Sequence, residues 1–298
     1  MISSRTEIRG AAVASHYDEL DHFYRDVWGE HVHHGLWLRG DESREEAVLN
    51  LANLVIAEAL AEGRASARPV SSAEGMDAEK RVPPTVCDIG CGYGATARLF
   101  ASGGAEVTGI TISPAQYAIA QQLNGTASNP QFLLGDWLQN ELPSDSFDAA
   151  ISIESSEHMP DKPAFFAQAH RVLRPSGRLV ICAWLAAEQP TRRAERWLLE
   201  PICREGRMPH MGSARDYQSL GEAAGFQLEE FQDVTQSVAR TWPAIVRRLL
   251  VKLATNPRYL RFLFARHADN RIFALTILRI WIAYRTGAMR YVIFTFVK

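Results

Sequence analysis

Cysteine is scarce in this 298-residue sequence, and no two cysteines form a C-x-x-C pair. The four are Cys87, Cys91, Cys182 and Cys203, and three of them lie in or beside apolar runs. We therefore expect reduced thiols in a cytosolic protein, with neither a disulfide framework nor a zinc site held by cysteine.

Long apolar runs are also missing. The first 19 residues hold no apolar segment long enough for a signal peptide. The most apolar later stretch, Ile272 to Ala283, is interrupted by Arg279 and is too short to cross a bilayer. The sequence thus predicts a soluble, cytoplasmic protein.

Acidic residues nearly disappear from the last part of the chain. From Arg240 to Lys298 there are twelve lysines or arginines and one acidic residue, Asp269, although the net charge of the whole chain is -2. Such a basic region can attract nucleic acid, an anionic membrane surface or an anionic substrate. Basic side chains on solvated helix faces explain the pattern equally well.

The residues before position 83 are predicted to form a helix and then a linker, ahead of a separate core. Ser43 and Glu46 have the spacing of a capping box, and apolar residues at helical intervals predict a helix over 43–62. Residues 63–82 are rich in Gly, Ala, Ser, Pro and charge without periodicity, which predicts a mobile linker. The predicted domains are an N-terminal helical cap at 1–62, the linker at 63–82, a core at 83–239, a helical lid at 240–285 and a last core strand at 286–298.

Beyond residue 83, short apolar strands alternate with helical segments. This alternation predicts an α/β fold in which a mostly parallel sheet carries helices on both faces and binds ligands at the carboxyl ends of its strands. The strands before the lid are predicted over 85–90, 105–112, 131–136, 147–154 and 177–184.

A glycine-rich turn follows the first of these strands. Gly90 and Gly92 allow a tight turn and a close approach of the backbone to a ligand, and Asp88 places a carboxylate at the strand tip. The spacing also fits a dinucleotide fingerprint. Asp88 would face the phosphates of such a ligand, however, and the second strand ends in Thr111 instead of an acidic residue, so NAD is disfavoured.

The sequence Asp88-x-Gly90-x-Gly92-x-Gly94 after a strand resembles motif I of class I S-adenosylmethionine-dependent methyltransferases. The resemblance implies a doubly wound, seven-stranded Rossmann-like sheet and S-adenosylmethionine as cofactor, with S-adenosylhomocysteine as product. It also implies the cofactor-binding residues. These are Gly90 and Gly92 under the methionine part, Asp88 near its amino group, Thr111 and Gln116 near the ribose, Asp136 and Trp137 at the adenine, and Tyr17 at the methionine carboxylate.

Further stretches resemble the tocopherol methyltransferase-like group, akin to sterol and other small-molecule C- and N-methyltransferases. They are GITISPAQ at 109–116, the segments 17–37, 154–179 and 208–226, and the end of the chain from Ala283. This resemblance implies a small lipophilic acceptor, prenylated, tocopherol-like, sterol-like or a prenyl diphosphate, methylated at carbon. N- or O-methylation of an alkaloid-like or polyketide-like product is the alternative.

The stretch SIESSEHMPDKP at 152–163 begins where the fourth strand ends, which in the implied fold is beside the reacting methyl group. His158 is the candidate general base, because an imidazole titrates near neutral pH. Glu157 could orient that imidazole or stabilise cationic character on the acceptor, and Glu154 is expected among the substrate-binding residues, on the side of the cofactor. The alternative is that this loop only shapes the pocket and caps the next helix.

His31, His33 and His34 form a cluster, but no carboxylate or cysteine spacing accompanies it, so no metal site is predicted. In similar enzymes the N-terminal segment folds over the cofactor. The expected acceptor pocket is then lined by Trp28, His33 and Trp37 and closed by Met208, Met211 and Trp242, although plain core packing would also explain these residues.

The lid interleaves basic and apolar residues, which fits a contact with an anionic membrane or with the pyrophosphate of a prenyl substrate. The basic residues concerned are Arg247, Arg248, Lys252, Arg258, Arg261 and Arg266. Nucleic acid is not an expected partner, because no base-flipping loop or aromatic platform is visible.

Overall fold

The computed structural model describes residues 1–61, 82–257, 259 and 273–298. The predicted linker lies outside these residues except for Val82, and so do Arg258, Arg261 and Arg266 of the predicted lid. The proposed division into domains stays a prediction.

Seven strands form the main sheet, in the order β4-β3-β2-β5-β6-β9-β8, and two short strands, β1 and β7, pair separately. The sheet is parallel from β4 to β6, whereas β9 runs antiparallel to both β6 and β8. This confirms the expected doubly wound, mostly parallel architecture. The strands are β1 (Ile2–Ser3), β2 (Thr85–Ile89), β3 (Glu106–Thr111), β4 (Gln131–Leu134), β5 (Phe147–Ile153), β6 (Leu173–Ala186), β7 (His210–Met211), β8 (Gln227–Asp233) and β9 (Met289–Val297).

Strand β2 lies between β3 and β5, so the chain reverses its direction of winding there. Four of its five residues are buried, and most of β5 is buried as well, as expected for strands covered by helices on both faces. The crevice at the carboxyl ends of β2 and β5 is therefore the topological switch point, where open α/β sheets bind their ligands.

The α-helices of the described residues lie on both faces of the sheet and before it, and a turn of π-helix spans Glu195–Leu199. The α-helices are α1 (Gly10–Val27), α2 (Arg44–Leu60), α3 (Ala95–Ser102), α4 (Pro114–Asn124), α5 (Lys162–Val172), α6 (Arg192–Ala194), α7 (Glu200–Glu205), α8 (Ala214–Ala223), α9 (Thr235–Val238), α10 (Thr241–Thr255) and α11 (Phe273–Arg285).

Helix α2 confirms the predicted capping box. The Ser43 hydroxyl accepts the Glu46 N–H, and the Glu46 carboxylate accepts the Ser43 N–H. Strand β6 differs from its prediction, because it begins directly after α5 and carries the Arg174–Gly177 segment as an irregularity at its start. Among the described residues, no helix combines the length and apolarity that crossing a membrane requires.

Candidate active site

The glycine turn after β2 packs directly against the loop that follows β5. Gly90 has φ +78°, and a Cβ placed there would lie 2.3 Å from the Cβ of Ser155. The Gly90 N–H donates to the carbonyl of Ile110 over 2.8 Å, which holds the turn across the ends of two strands. A side chain at this position would therefore displace one wall of the site.

Asp88 lies beneath this turn with 4% of its surface exposed. One of its carboxylate oxygens, Oδ2, is buried and has no hydrogen-bond partner among the described residues. Burial raises the pKa of Asp88 to about 7. It borders a cavity of about 380 Å³ together with His33, Gly90 and Gly92.

A larger cavity of about 840 Å³ continues from the glycine turn. Thr111 and Gln116 meet on one wall, where the Thr111 hydroxyl donates to Gln116 Oε1 over 3.0 Å. Asp136 and Trp137 form another wall. Asp136 Oδ1 accepts the Leu138 N–H, and the buried indole of Trp137 is fixed by a 3.3 Å hydrogen bond to the Phe165 carbonyl. These four predicted residues thus meet in one cavity.

A third cavity, of about 580 Å³, shares Tyr17, Glu154 and His158 with the larger one. We call it the acceptor cavity. It contains four of the residues expected at the acceptor, namely Trp28, Glu154, Met208 and Trp242, and it is lined mainly by aromatic and aliphatic side chains.

Three expected acceptor residues lie elsewhere. His33 borders the Asp88 cavity, because its Nδ1–H donates to the His34 carbonyl and turns the ring to that side. Trp37 packs against Gly35 and donates to the Glu42 carbonyl over 3.2 Å. Met211 is fully buried in β7, opposite Ile2 of β1.

His158 stands where the two larger cavities meet. Its Nδ1 lies 3.1 Å from the Arg207 carbonyl, which can only accept, so Nδ1 carries the proton. Nε2 then accepts the Tyr17 hydroxyl over 2.9 Å. Burial lowers the pKa of His158 to about 4, so the imidazole is neutral at physiological pH and Nε2 keeps a lone pair, as a weaker base than a free imidazole.

Glu154 is a buried carboxylate in the left-handed backbone region, with φ +53° and a side chain that is 5% exposed. Burial by itself would raise the pKa of Glu154, but the interaction with His34 and the hydrogen bonds lower it to about 2. A non-glycine residue held in such a conformation is often functional. Its donors are the His34 N–H at 2.7 Å, His34 Nδ1 at 2.9 Å, the Tyr291 hydroxyl at 2.7 Å and the Trp184 indole N–H at 2.6 Å.

Glu157 does not orient His158, which corrects the prediction from the sequence. Its carboxylate accepts the Trp184 backbone N–H over 2.6 Å and the Ser156 hydroxyl over 3.1 Å, and the residue is 2% exposed. Burial raises the pKa of Glu157 above its ordinary value. The imidazole of His158 is oriented by Arg207 and Tyr17 instead.

Sequence reasoning missed His34, Trp184 and Ser155. His34 was considered only as part of a metal cluster, whereas it accepts the Trp242 indole N–H at Nε2 over 2.9 Å and holds Glu154. The described residues contain no group of three or more side chains that could hold a metal ion. The sequence did contain a signal for His34, because a buried carboxylate such as Glu154 requires hydrogen-bond donors. The two residues are 120 positions apart, however, so the sequence does not show that they pair.

Comparison with known proteins places this arrangement in a family. Residues 87–181 match the family described as "Methyltransferase domain". Tocopherol O-methyltransferase of Arabidopsis thaliana is 31% identical over 263 residues, which is 83% of this chain and 72% of that protein. The probable tocopherol O-methyltransferase of Oryza sativa is 33% identical over 247 residues, or 80% of this chain and 66% of that protein.

The chain belongs to the class I S-adenosylmethionine-dependent methyltransferases. It falls in the tocopherol methyltransferase-like branch. The structure of the mycolic acid cyclopropane synthase CmaA1, complexed with SAH and CTAB, superposes with a TM-score of 0.78 over 99% of this chain and 100% of that one, at 21% identity, which supports the fold.

The cofactor of this methyltransferase is S-adenosylmethionine, and the residues present fit it. The unpaired Oδ2 of Asp88 suits an ammonium group, and the paired hydroxyl and amide of Thr111 and Gln116 suit ribose hydroxyls. Asp136 and the indole of Trp137 suit an adenine ring with its amino group.

Proposed function

We propose that this methyltransferase acts on a small lipophilic acceptor that carries a phenolic hydroxyl, and that the methyl group is transferred to a ring carbon. The observation that carries the proposal is the position of His158 Nε2. This neutral base lies where the larger cavity, lined by Thr111, Gln116, Asp136 and Trp137, meets the acceptor cavity. The aromatic and aliphatic lining of the acceptor cavity and the relatives named for tocopherol, a prenylated phenol, support a lipophilic acceptor.

In this proposal Asp88 holds the amino group of the cofactor, Thr111 and Gln116 hold its ribose, and Asp136 and Trp137 hold its adenine. When bound, the cofactor supplies an electrophilic methyl group on a sulfonium. The cavity walls, including Trp28 and Trp242, exclude water and align the acceptor with that methyl group.

His158 takes the proton of the acceptor hydroxyl at Nε2, where Tyr17 donates in this structure. The Arg207 carbonyl, which accepts from Nδ1–H, stabilises the imidazolium that results. Burial also raises the pKa of Tyr17, so its hydroxyl stays a neutral donor. For transfer to carbon, the hydroxyl proton leaves as the new carbon–methyl bond forms, so positive charge develops on the ring before the proton has fully left. The neutral dienone that results becomes the aromatic phenol again when the proton on the methylated ring carbon moves to the oxygen.

Glu154 favours carbon over oxygen as the methylated atom. It is an ionised carboxylate that borders both cavities, so it can stabilise positive charge that develops on the ring as carbon is methylated. The second candidate is methylation of the hydroxyl oxygen. His158 supports it, because an oxygen acceptor needs only to lose its proton to a base.

The test uses S-adenosylmethionine labelled with ¹³C in its methyl group and a panel of lipophilic phenols, non-phenolic terpenoids and amines. We expect phenols to gain one methyl group, and NMR to show the labelled carbon bonded to a ring carbon. Turnover of amines alone would overturn the phenolic acceptor, and a label bonded to oxygen would support the second candidate.

The Glu154→Gln variant tests the role of the carboxylate, with Glu157→Gln as its matched control because that side chain is buried but does not line the acceptor cavity. We expect E154Q to slow C-methylation roughly tenfold or more. Equal losses in E154Q and E157Q would contradict a specific role for Glu154, as would an E154Q enzyme that works at the native rate.

A further inference from the structure

The last helix before β9 has two different faces. On α11, Thr276 and Ile280 line the acceptor cavity. Leu275, Leu278 and Ile282 point away from the interior and are 54%, 44% and 37% exposed. Because these three are spaced by three and four residues, they form a continuous apolar stripe along the outside of the helix.

Elements that pack against α11 also expose apolar side chains. The turn of helix at Glu195–Leu199 packs against α11 and carries Trp197, which is 64% exposed. Helix α10 also packs against α11 and exposes Leu250 and Val251, at 60% and 54%. Exposed apolar surface of this extent is uncommon unless it meets a partner. We call these residues the lid patch: Trp197, Leu250, Val251, Leu275, Leu278 and Ile282.

Arginines accompany the lid patch. The Arg196 guanidinium lies over the ring of Trp197 at 5.2 Å, and the Arg285 guanidinium lies over the ring of Trp281 at 5.7 Å. Arg247 is exposed on α10. Helices α10 and α11 contain no Asp or Glu of their own. Arg248, Lys252 and Arg279 pair with Glu45, Asp26 and Glu205 of other elements, so they add less to the charge of this surface than the exposed Arg247 and Arg285.

The chemistry of this surface indicates its partner. Trp and Arg side chains beside exposed Leu and Ile suit the boundary between lipid headgroups and acyl chains, where the indole sits at headgroup level and the cation meets lipid phosphate. Arg285 lies in the last turn of α11, beyond Ile282. The apolar stripe of this helix is therefore followed by a cationic side chain at the helix end.

We infer that the lid patch docks on the surface of an anionic lipid bilayer, so that a lipophilic acceptor passes from the bilayer to the inner face of α11. The inference rests on the proposed function for the lipophilic nature of that acceptor. It assigns a role to the outer face of the lid helices, which the methyl transfer itself does not use.

The experiment is co-sedimentation of the full chain with vesicles of phosphatidylcholine alone and with vesicles that also contain phosphatidylglycerol, at low and high salt. We expect binding to the phosphatidylglycerol vesicles, weakened by salt. Trp197→Ser, Leu278→Ser and Arg285→Gln should each weaken it about fivefold. Leu123→Ser is the matched control, because Leu123 is also a helical leucine with 44% exposure but lies on α4, outside the lid patch.

Equal binding to both kinds of vesicle, or losses in Leu123→Ser equal to those in Leu278→Ser, would overturn the inference. So would sedimentation velocity showing that the lid patch joins two copies of the chain instead. Methylation of a detergent-dispersed acceptor is measured in parallel. Turnover without vesicle binding refutes the inference alone, whereas vesicle binding without turnover of any lipophilic acceptor refutes the proposed function alone.

Discussion

The cofactor side and the acceptor side of this site are built in different ways. The cofactor side takes much of its lining from one continuous run, from β2 to the turn at Trp137, where the predicted residues lie at the ends of strands or in the turns and helix starts that follow them. The acceptor cavity gathers side chains from α1, the β5 loop, β6, α7, α10 and α11. Backbone turns therefore define the first region, and long-range packing defines the second.

This difference in construction predicts which substitutions affect cofactor binding and which affect the acceptor. A substitution in the glycine turn should affect cofactor binding through the backbone, whatever the acceptor. A substitution in the acceptor cavity should change turnover or the KM for the acceptor and leave the affinity for S-adenosylhomocysteine nearly unchanged.

The largest effect is expected from Gly90→Ala. The new Cβ would lie 2.3 Å from Ser155 at a φ of +78°, so the turn must move. We expect the affinity for S-adenosylhomocysteine, measured by isothermal titration calorimetry, to fall by roughly a hundredfold, equivalent to about 3 kcal/mol.

Gly104→Ala is the control for the backbone angle alone. Gly104 also has a positive φ, +92°, but no described atom lies within 4 Å of a Cβ built there. The Gly104→Ala variant should lose some folding stability and keep its affinity for S-adenosylhomocysteine. Native affinity in Gly90→Ala would show that the turn is not as tightly packed as the structure indicates.

A smaller effect is expected from pH. Burial raises the pKa of Asp88 to about 7, so below pH 7 the carboxyl is protonated and must lose its proton to bind an ammonium group. The affinity for S-adenosylhomocysteine should therefore be level above pH 7 and fall by roughly tenfold for each pH unit below it. Calorimetry across this range provides the measurement.

Asp88→Asn serves as the reference for that titration, since it cannot ionise. Its affinity should be weaker at pH 8 and nearly independent of pH. A native enzyme whose affinity does not change between pH 5.5 and pH 8 would exclude Asp88 as the partner of the amino group.

The smallest expected effect is a change in the KM for the acceptor that differs between substitutions of two tryptophans. Trp28 lines the acceptor cavity, whereas Trp37 packs against Gly35. Trp28→Phe should raise the KM for the acceptor by about threefold, through the loss of roughly 0.7 kcal/mol of contact. Trp37→Phe should leave that KM unchanged in the same steady-state assay. Equal increases in the KM for both variants would restore the prediction made from the sequence, in which both tryptophans line the acceptor pocket.

The sequence predicted which residues come together on the cofactor side, because short motifs are local, whereas their contacts with the cofactor stay a prediction. Asp88, Gly90, Thr111 and Asp136 each lie at or just beyond the carboxyl end of a strand whose position the apolar pattern indicates. The acceptor side was predicted less well. Nothing in the sequence near Glu157 shows that its carboxylate turns towards the Trp184 N–H.

His33 and His34 illustrate the same limit. The two are adjacent in sequence, and one hydrogen bond, from His33 Nδ1 to the His34 carbonyl, sends their side chains to different cavities. His34 acquires its role only when Glu154 and Trp242, 120 and 208 residues away, are brought to it by the fold.

The claim that acceptor chemistry depends on His158 is tested most directly by the His158→Gln variant, with its affinity for S-adenosylhomocysteine and its single-turnover methylation rate measured on the same preparation. We predict an affinity within about twofold of native and a rate lower by roughly 10²-fold or more. A rate close to native at that affinity would contradict the assignment of His158 as the base.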